Sequence, residues 1–115
     1  MDDKDTLLLV LITAPEMETA LNLARALTNA KIAACVNISP NLLSIYPWKG
    51  SLQQDEEVLL LVKTREGLLA SHLIPLINQL HPYDLPEIIA LPIVSGSQAY
   101  LKWLRQETGE NLKDC

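Results

Sequence analysis

IAACVNISPNLLSIYPWKGSLQQDEEVLLLVKT, running from Ile32 to Thr64, is the stretch whose reading decides the fold. Two extended segments flank Lys49-Gly50-Ser51, a turn signal. The first goes from Ile32 through Val36 to Ile38, breaks at Pro40-Asn41 and resumes from Leu42 to Trp48. The second is weak from Leu52 to Asp55 and strong from Val58 to Thr64. This hairpin is roughly twice as long as a small sheet requires. Its far half carries Leu42, Leu43, Ile45, Tyr46 and Trp48, more apolar surface than one layer of a 115-residue chain covers. Overshooting strands of this kind aggregate unless another chain pairs with them, so the sequence predicts an oligomer.

Upstream, Leu7 to Ile12 is an unbroken Leu/Val/Ile run, the mark of a strand covered on both faces. Thr13-Ala14-Pro15-Glu16 then starts a helix, with proline in its first turn and Glu16 and Glu18 at the positive end of its dipole. Met17, Ala20, Leu21, Ala24 and Leu27 form its apolar stripe, and Asn29 or Lys31 closes it. Downstream, Arg65 to Leu80 reads as a helix with Leu69, Leu73, Leu76, Ile77 and Leu80 on one side. Pro75 removes a backbone donor there and predicts a kink or restarted turn near Ser71 to Leu73. Glu87 to Val94 is the fourth strand, and Ser97 to Glu107 a short amphipathic helix. The order is β-α-β-β-α-β with a final helix. Right-handed crossovers make it an α+β, ferredoxin-like sandwich, helices on one face of an antiparallel sheet. Residues 1–115 read as a single domain, with 1–5 and 109–115 as flexible ends.

Nine basic and fourteen acidic residues leave a net charge of −5, which argues against nucleic acid, whose binders need a basic footprint. The longest apolar run falls far short of the roughly 18 residues of a membrane helix. Acidic Asp2-Asp3-Lys4-Asp5 stands where a secretory signal would be basic, so the cytoplasm is the expected location. Cys35 and Cys115 make no disulfide framework and read as reduced thiols.

Chemistry-bearing side chains concentrate in HPYDLPEIIALPI, His81 to Ile93, where Pro82 and Pro86 stiffen the backbone that carries His81, Tyr83, Asp84 and Glu87. His81 reads as a metal ligand or proton carrier beside Asp84 and Glu87, or as a cap on the preceding helix. His72 reads as a surface residue. Glu87 opens an apolar strand and Lys63 ends one; such rim charges either pair or hold a charged ligand together. Cys35 is a soft-metal candidate for copper or zinc, or a small buried hydrophobe in Ile-Ala-Ala-Cys-Val. With no His-x-x-x-His or Cys-x-x-Cys spacing, no local metal motif supports either residue. Tyr46, Trp48, Tyr83 and Trp103 all have a polar handle, as expected at an interface or a ligand-stacking pocket.

From about Leu8 to Leu104 the chain resembles the CutA family of divalent-cation tolerance proteins. The resemblance rests on Thr13-Ala14-Pro15, Ala33-Ala34-Cys35-Val36-Asn37, Ser44-Ile45-Tyr46-Pro47-Trp48-Lys49-Gly50, and Glu57 with Lys63-Thr64. It continues through His81-Pro82-Tyr83, Pro86-Glu87-Ile88, and Tyr100 with Trp103-Leu104. It implies a homotrimer in which long hairpins pair between neighbours, related in architecture to the PII signalling proteins. It also implies a part in tolerance of copper and other divalent metals, with no enzymatic reaction.

Carried onto this sequence, the resemblance places a metal or small ligand between subunits near Lys63, Tyr83, Glu87, Trp103, Tyr46 and Trp48. Cys35 and His81 are its candidate metal ligands, the former in three copies about the trimer axis. A PII-like regulator or anchoring scaffold without physiological metal is the second reading. An enzyme using His81 with Asp84 or Glu87 ranks last, because no activated nucleophile or phosphate-binding loop accompanies them.

Overall fold

The computed structural model describes residues 3–109. A four-stranded antiparallel sheet in the order β2-β3-β1-β4 is built from β1 (Leu7–Ala14), β2 (Cys35–Trp48), β3 (Ser51–Arg65) and β4 (Ile88–Pro92). Helix α1 (Met17–Asn29) connects β1 to β2, and α4 (Gln98–Gln106) follows β4. Between β3 and β4 lies a continuous helical run: α2 (Glu66–Leu68), a π-helical segment (Leu69–Leu73) and α3 (Ile74–Leu80). This is the ferredoxin-like α+β arrangement that the element order predicts.

Alternation along the strands sorts the core. Leu8, Val10, Ile12 and Ala14 of β1 and Val58, Leu60, Val62 and Thr64 of β3 are buried on one face. They pack with Ala20, Leu23 and Leu27 of α1 and with Leu68, Leu73 and Ile77. The α1 stripe therefore runs through Leu23, and Met17 is 39% exposed instead of packed. Leu80 likewise lies outside the core. Thr13 and Ala14 belong to β1, and the helix begins one residue after Glu16, whose carboxylate caps it by accepting from the Thr19 N–H at 3.0 Å.

The kink predicted from Pro75 takes the form of the π-helical segment. The Ile74 N–H donates to the Leu69 carbonyl, five residues back, so the ladder resumes around the donor that proline lacks. Pro40-Asn41 does not break β2. It forms a bulge between Ser39 and Leu42, with Asn41 at φ 67°, and the strand continues to Trp48. The turn is two residues long, Lys49 (φ 49°) and Gly50 (φ 83°), both left-handed as a twisted hairpin demands. β4 is shorter than its sequence suggests: Glu87 and Ile93–Val94 lie outside it.

The hairpin overshoots as expected. β1 pairs with β3 only from Val58 to Arg65, so Ser51 to Glu57 has β2 alone for company. This free ribbon lengthens the molecule to 44 × 30 × 23 Å. One face of it shows Leu43, Ile45 and Leu52, each more than half exposed. The other turns Tyr46, Trp48, Asp55 and Glu57 back towards the body, as the period of two requires. At the chain's ends, Asp5 pairs with Arg65 at 3.6 Å and the Gly109 N–H donates to the Lys31 carbonyl. Cys115 lies outside the described residues.

Candidate functional site

The inner face of the free ribbon and the loop between α3 and β4 enclose a cleft of about 760 Å³. Ser44, Tyr46, Trp48 and Glu57 form one wall, and Pro82 to Leu85 with Glu87 the other. Thr13, at the end of β1, lies between them.

His81 sets the second wall. It is buried at 7% exposure, and its Nε2 lies 2.7 Å from the Thr13 carbonyl oxygen, to which it donates. Its Nδ1 accepts the Tyr83 backbone N–H at 3.1 Å, and its ring tilts against that of Tyr83 with centroids 4.7 Å apart. Both nitrogens are thus engaged within the chain. The imidazole reaches back to β1, not to the free carbonyls of α3, so it fastens the loop rather than capping the helix.

Tyr83, so held, donates its hydroxyl proton to Glu57 Oε2 at 2.8 Å. Burial first, then that hydrogen bond and the Glu57 charge, push the phenol well above its usual range. Tyr83 therefore keeps its proton and acts as a donor. Across the ribbon Tyr46 donates to Asp55, a diagonal neighbour on the paired strand. The Asp55 bond, then desolvation and the Asp55 and Glu57 charges, raise the Tyr46 phenol as well. Glu57 is 6% exposed, whereas Asp84 and Glu87 stand exposed at the mouth. Among the described residues no cationic side chain pairs with Glu57, Asp84 or Glu87.

The structure brings Tyr46, Trp48, Tyr83 and Glu87 together and leaves Lys63 and Trp103 elsewhere. Lys63 lies opposite Cys35 on β2 and Leu9 on β1, roughly 20 Å along β3 from Glu57. Trp103, on α4, packs its ring against Tyr100 at 5.5 Å. The Tyr100 phenol is raised by burial and then by the neighbouring Cys35 sulfur, which places Cys35 beside α4. Cys35 itself is half-buried, not sealed in the core, because its side chain projects from the sheet face away from α1. Cys35 therefore sits beside Lys63 and α4, while His81 is fastened to Thr13, four residues further along β1 and two strands away. One chain does not unite them around a metal. Among the described residues no group of three or more His, Cys, Asp or Glu side chains is arranged to hold a metal ion.

Sequence reasoning passed over Thr13 and Glu57 as lining residues and Asp55 as the acceptor of the Tyr46 hydroxyl. Glu57 carried a signal: an acid directly ahead of the apolar run Val58 to Val62 has little choice but to find a donor.

Residues 8–107 match the model of the CutA1 divalent ion tolerance protein family. The chain belongs to this family. It is 50% identical over 104 residues to the divalent-cation tolerance protein CutA of Thermus thermophilus, covering 87% of this chain and 96% of that protein. The solved Thermus structure superposes with a TM-score of 0.87 over 90% of this chain and 99% of that one. The crystal structure of CutA1 from Oryza sativa, 43% identical, gives 0.89 over 96% and 100%. Human protein CutA is 42% identical over 103 residues, but the match takes in only 56% of its length. No helix among the described residues is long and apolar enough to cross a membrane.

Proposed function

We propose that this chain is a non-enzymatic binding protein of divalent-cation tolerance. It works in the cytoplasm as a homotrimer and holds its ligand in clefts between subunits. The observation that carries this reading is the free ribbon, with Leu43, Ile45 and Leu52 exposed on one face and a ligand-sized cleft under the other. A second copy that covers the ribbon removes apolar surface from water and completes the cleft wall. The open sheet face, where Leu9, Leu11, Leu59 and Leu61 are only half-buried and Ile89 and Leu91 are about half exposed, supports association further. Lys63 and Trp103 reach the cleft in this reading only as residues of a neighbour.

Copper or another divalent metal would be held across copies, by Cys35 thiolates from three subunits, since His81 has no free nitrogen to offer. The spread of the cleft's carboxylates favours a small molecule there, and with it a PII-like regulatory output as the second reading.

Sedimentation over a dilution series tests the assembly, and a folded single subunit overturns it. Equilibrium dialysis against Cu²⁺ and Zn²⁺ tests the metal. Less than one ion per trimer, unchanged by Cys35→Ser, ends the metal version and leaves the cleft to a small molecule.

A further inference from the structure

We infer that the cleft between the ribbon and the 82–87 loop takes an organic cation, an ammonium group on an apolar body. The inference rests on the proposed binding role and adds the chemical class of the ligand.

Charge selects the sign. The cleft lining includes Glu57, Asp84 and Glu87 and contains no lysine, arginine or histidine. A neighbour's Lys63, contributed once per cleft, would still leave two carboxylates uncompensated. Concave walls of low polarity focus such a field and draw in cations.

The rings select the kind of cation. Tyr46, Trp48 and Tyr83 all line the space, and tryptophan has the most attractive face for a positive charge. The Trp48 ring already has one: the Lys49 ammonium lies 6.0 Å from its centroid. The phenolic protons of Tyr46 and Tyr83 are committed to Asp55 and Glu57, so these hydroxyls have lone pairs to offer and no donor for an anion.

Size and spacing separate this ligand from a bare metal ion. The cleft's volume falls in the range of small-molecule sites. Its carboxylates do not converge into a coordination shell, which an extended molecule does not need.

Calorimetric titration of the full chain with benzyltrimethylammonium tests the inference, with benzyl alcohol as the neutral probe and benzoate as the anionic one. The cation binds saturably, once per subunit, and binding weakens as salt is raised. Trp48→Leu and the double variant Asp84→Asn/Glu87→Gln, all at exposed positions, each weaken it about tenfold. Benzyl alcohol or benzoate binding as tightly overturns the inference. So does unchanged affinity in the double variant, absence of saturation at millimolar probe, or stoichiometric displacement of the probe by Zn²⁺. Sedimentation of the same samples separates the two readings. A trimer that ignores the cation sinks this inference alone, and a single subunit that binds it sinks only the shared cleft.

Discussion

Tyr83 donates its hydroxyl proton to Glu57 across 2.8 Å, and so ties the loop before β4 to β3 at the point where the free ribbon leaves the sheet. The bond matters because Glu57 is almost wholly buried and has no cationic partner among the described residues. Tyr83→Phe keeps the ring and removes the donor. It should cost about 1–3 kcal/mol in urea unfolding, the range for stranding a buried polar group. Glu57→Gln in the same background should cost less than it does in the parent, since the pair acts together. A loss from Tyr83→Phe under about 0.5 kcal/mol would show that water serves Glu57 as well as the phenol does.

All three tyrosines have phenols raised above the ordinary value of 10.0. Below that value both the folded and the unfolded chain keep these protons, and their contribution to stability is whole. Above it the unfolded chain releases protons that the folded chain still holds, so stability falls as pH rises. Near-ultraviolet absorbance of phenolate checks this directly. At pH 10 the folded protein should show clearly less phenolate than the same protein in urea. Tyr83→Phe should flatten the alkaline loss most, because burial and Glu57 act on that residue together. Equal phenolate in the two states would overturn the buried geometry.

His81 joins three parts of the cleft: its own position after α3, the Thr13 carbonyl and the Tyr83 amide. His81→Ala strands the Thr13 carbonyl and leaves a small void at a buried site. A loss of about 2 kcal/mol or more follows, with Tyr83 losing its fixed position. Zinc uptake should stay at the level of the parent protein, because both imidazole nitrogens are occupied before any metal arrives. A variant that kept its stability and lost metal would reverse the assignment of His81 from fastener to ligand.

The element order and the overlong hairpin were legible in the sequence because both rest on local signals: apolar periodicity, a lysine-glycine turn and proline positions. The ribbon is therefore where the reading and the structure agree most closely. Helix faces were less legible. Met17 has the spacing of a core residue, but Glu16 caps the helix where the strand hands over, and that start leaves Met17 outside the core. The site was legible in its types and not in its grouping. Tyr83 and Glu87 are close in sequence to each other and far from Glu57, and only the antiparallel register shows that β3 brings Glu57 to them. Lys63 looked like a partner for Glu87 because both border apolar runs. β3 and β4 both run antiparallel to β1, so Glu87 at the start of one run and Lys63 at the end of the other fall at opposite ends of the sheet. Periodicity alone has no information about that.

The ribbon's outer face supplies the test of assembly. Leu43 and Leu52 are 56% and 76% exposed, and Leu43 lies opposite Glu56 in the register. Lysine at either position adds no buried charge in a single subunit, and at position 43 it meets an acid across the strands. Leu43→Lys and Leu52→Lys should therefore shift single-subunit stability by no more than about 0.5 kcal/mol. In a trimer that covers this face the same side chains carry an ammonium into an apolar contact, which costs far more unless paired. Sedimentation should then show each variant dissociating at concentrations where the parent stays associated, while circular dichroism still reports the native strand and helix content. Unchanged association in both variants would mean that the outer face of the ribbon stays in water, and the partner surface would have to be the open sheet face around Ile89 and Leu91 instead.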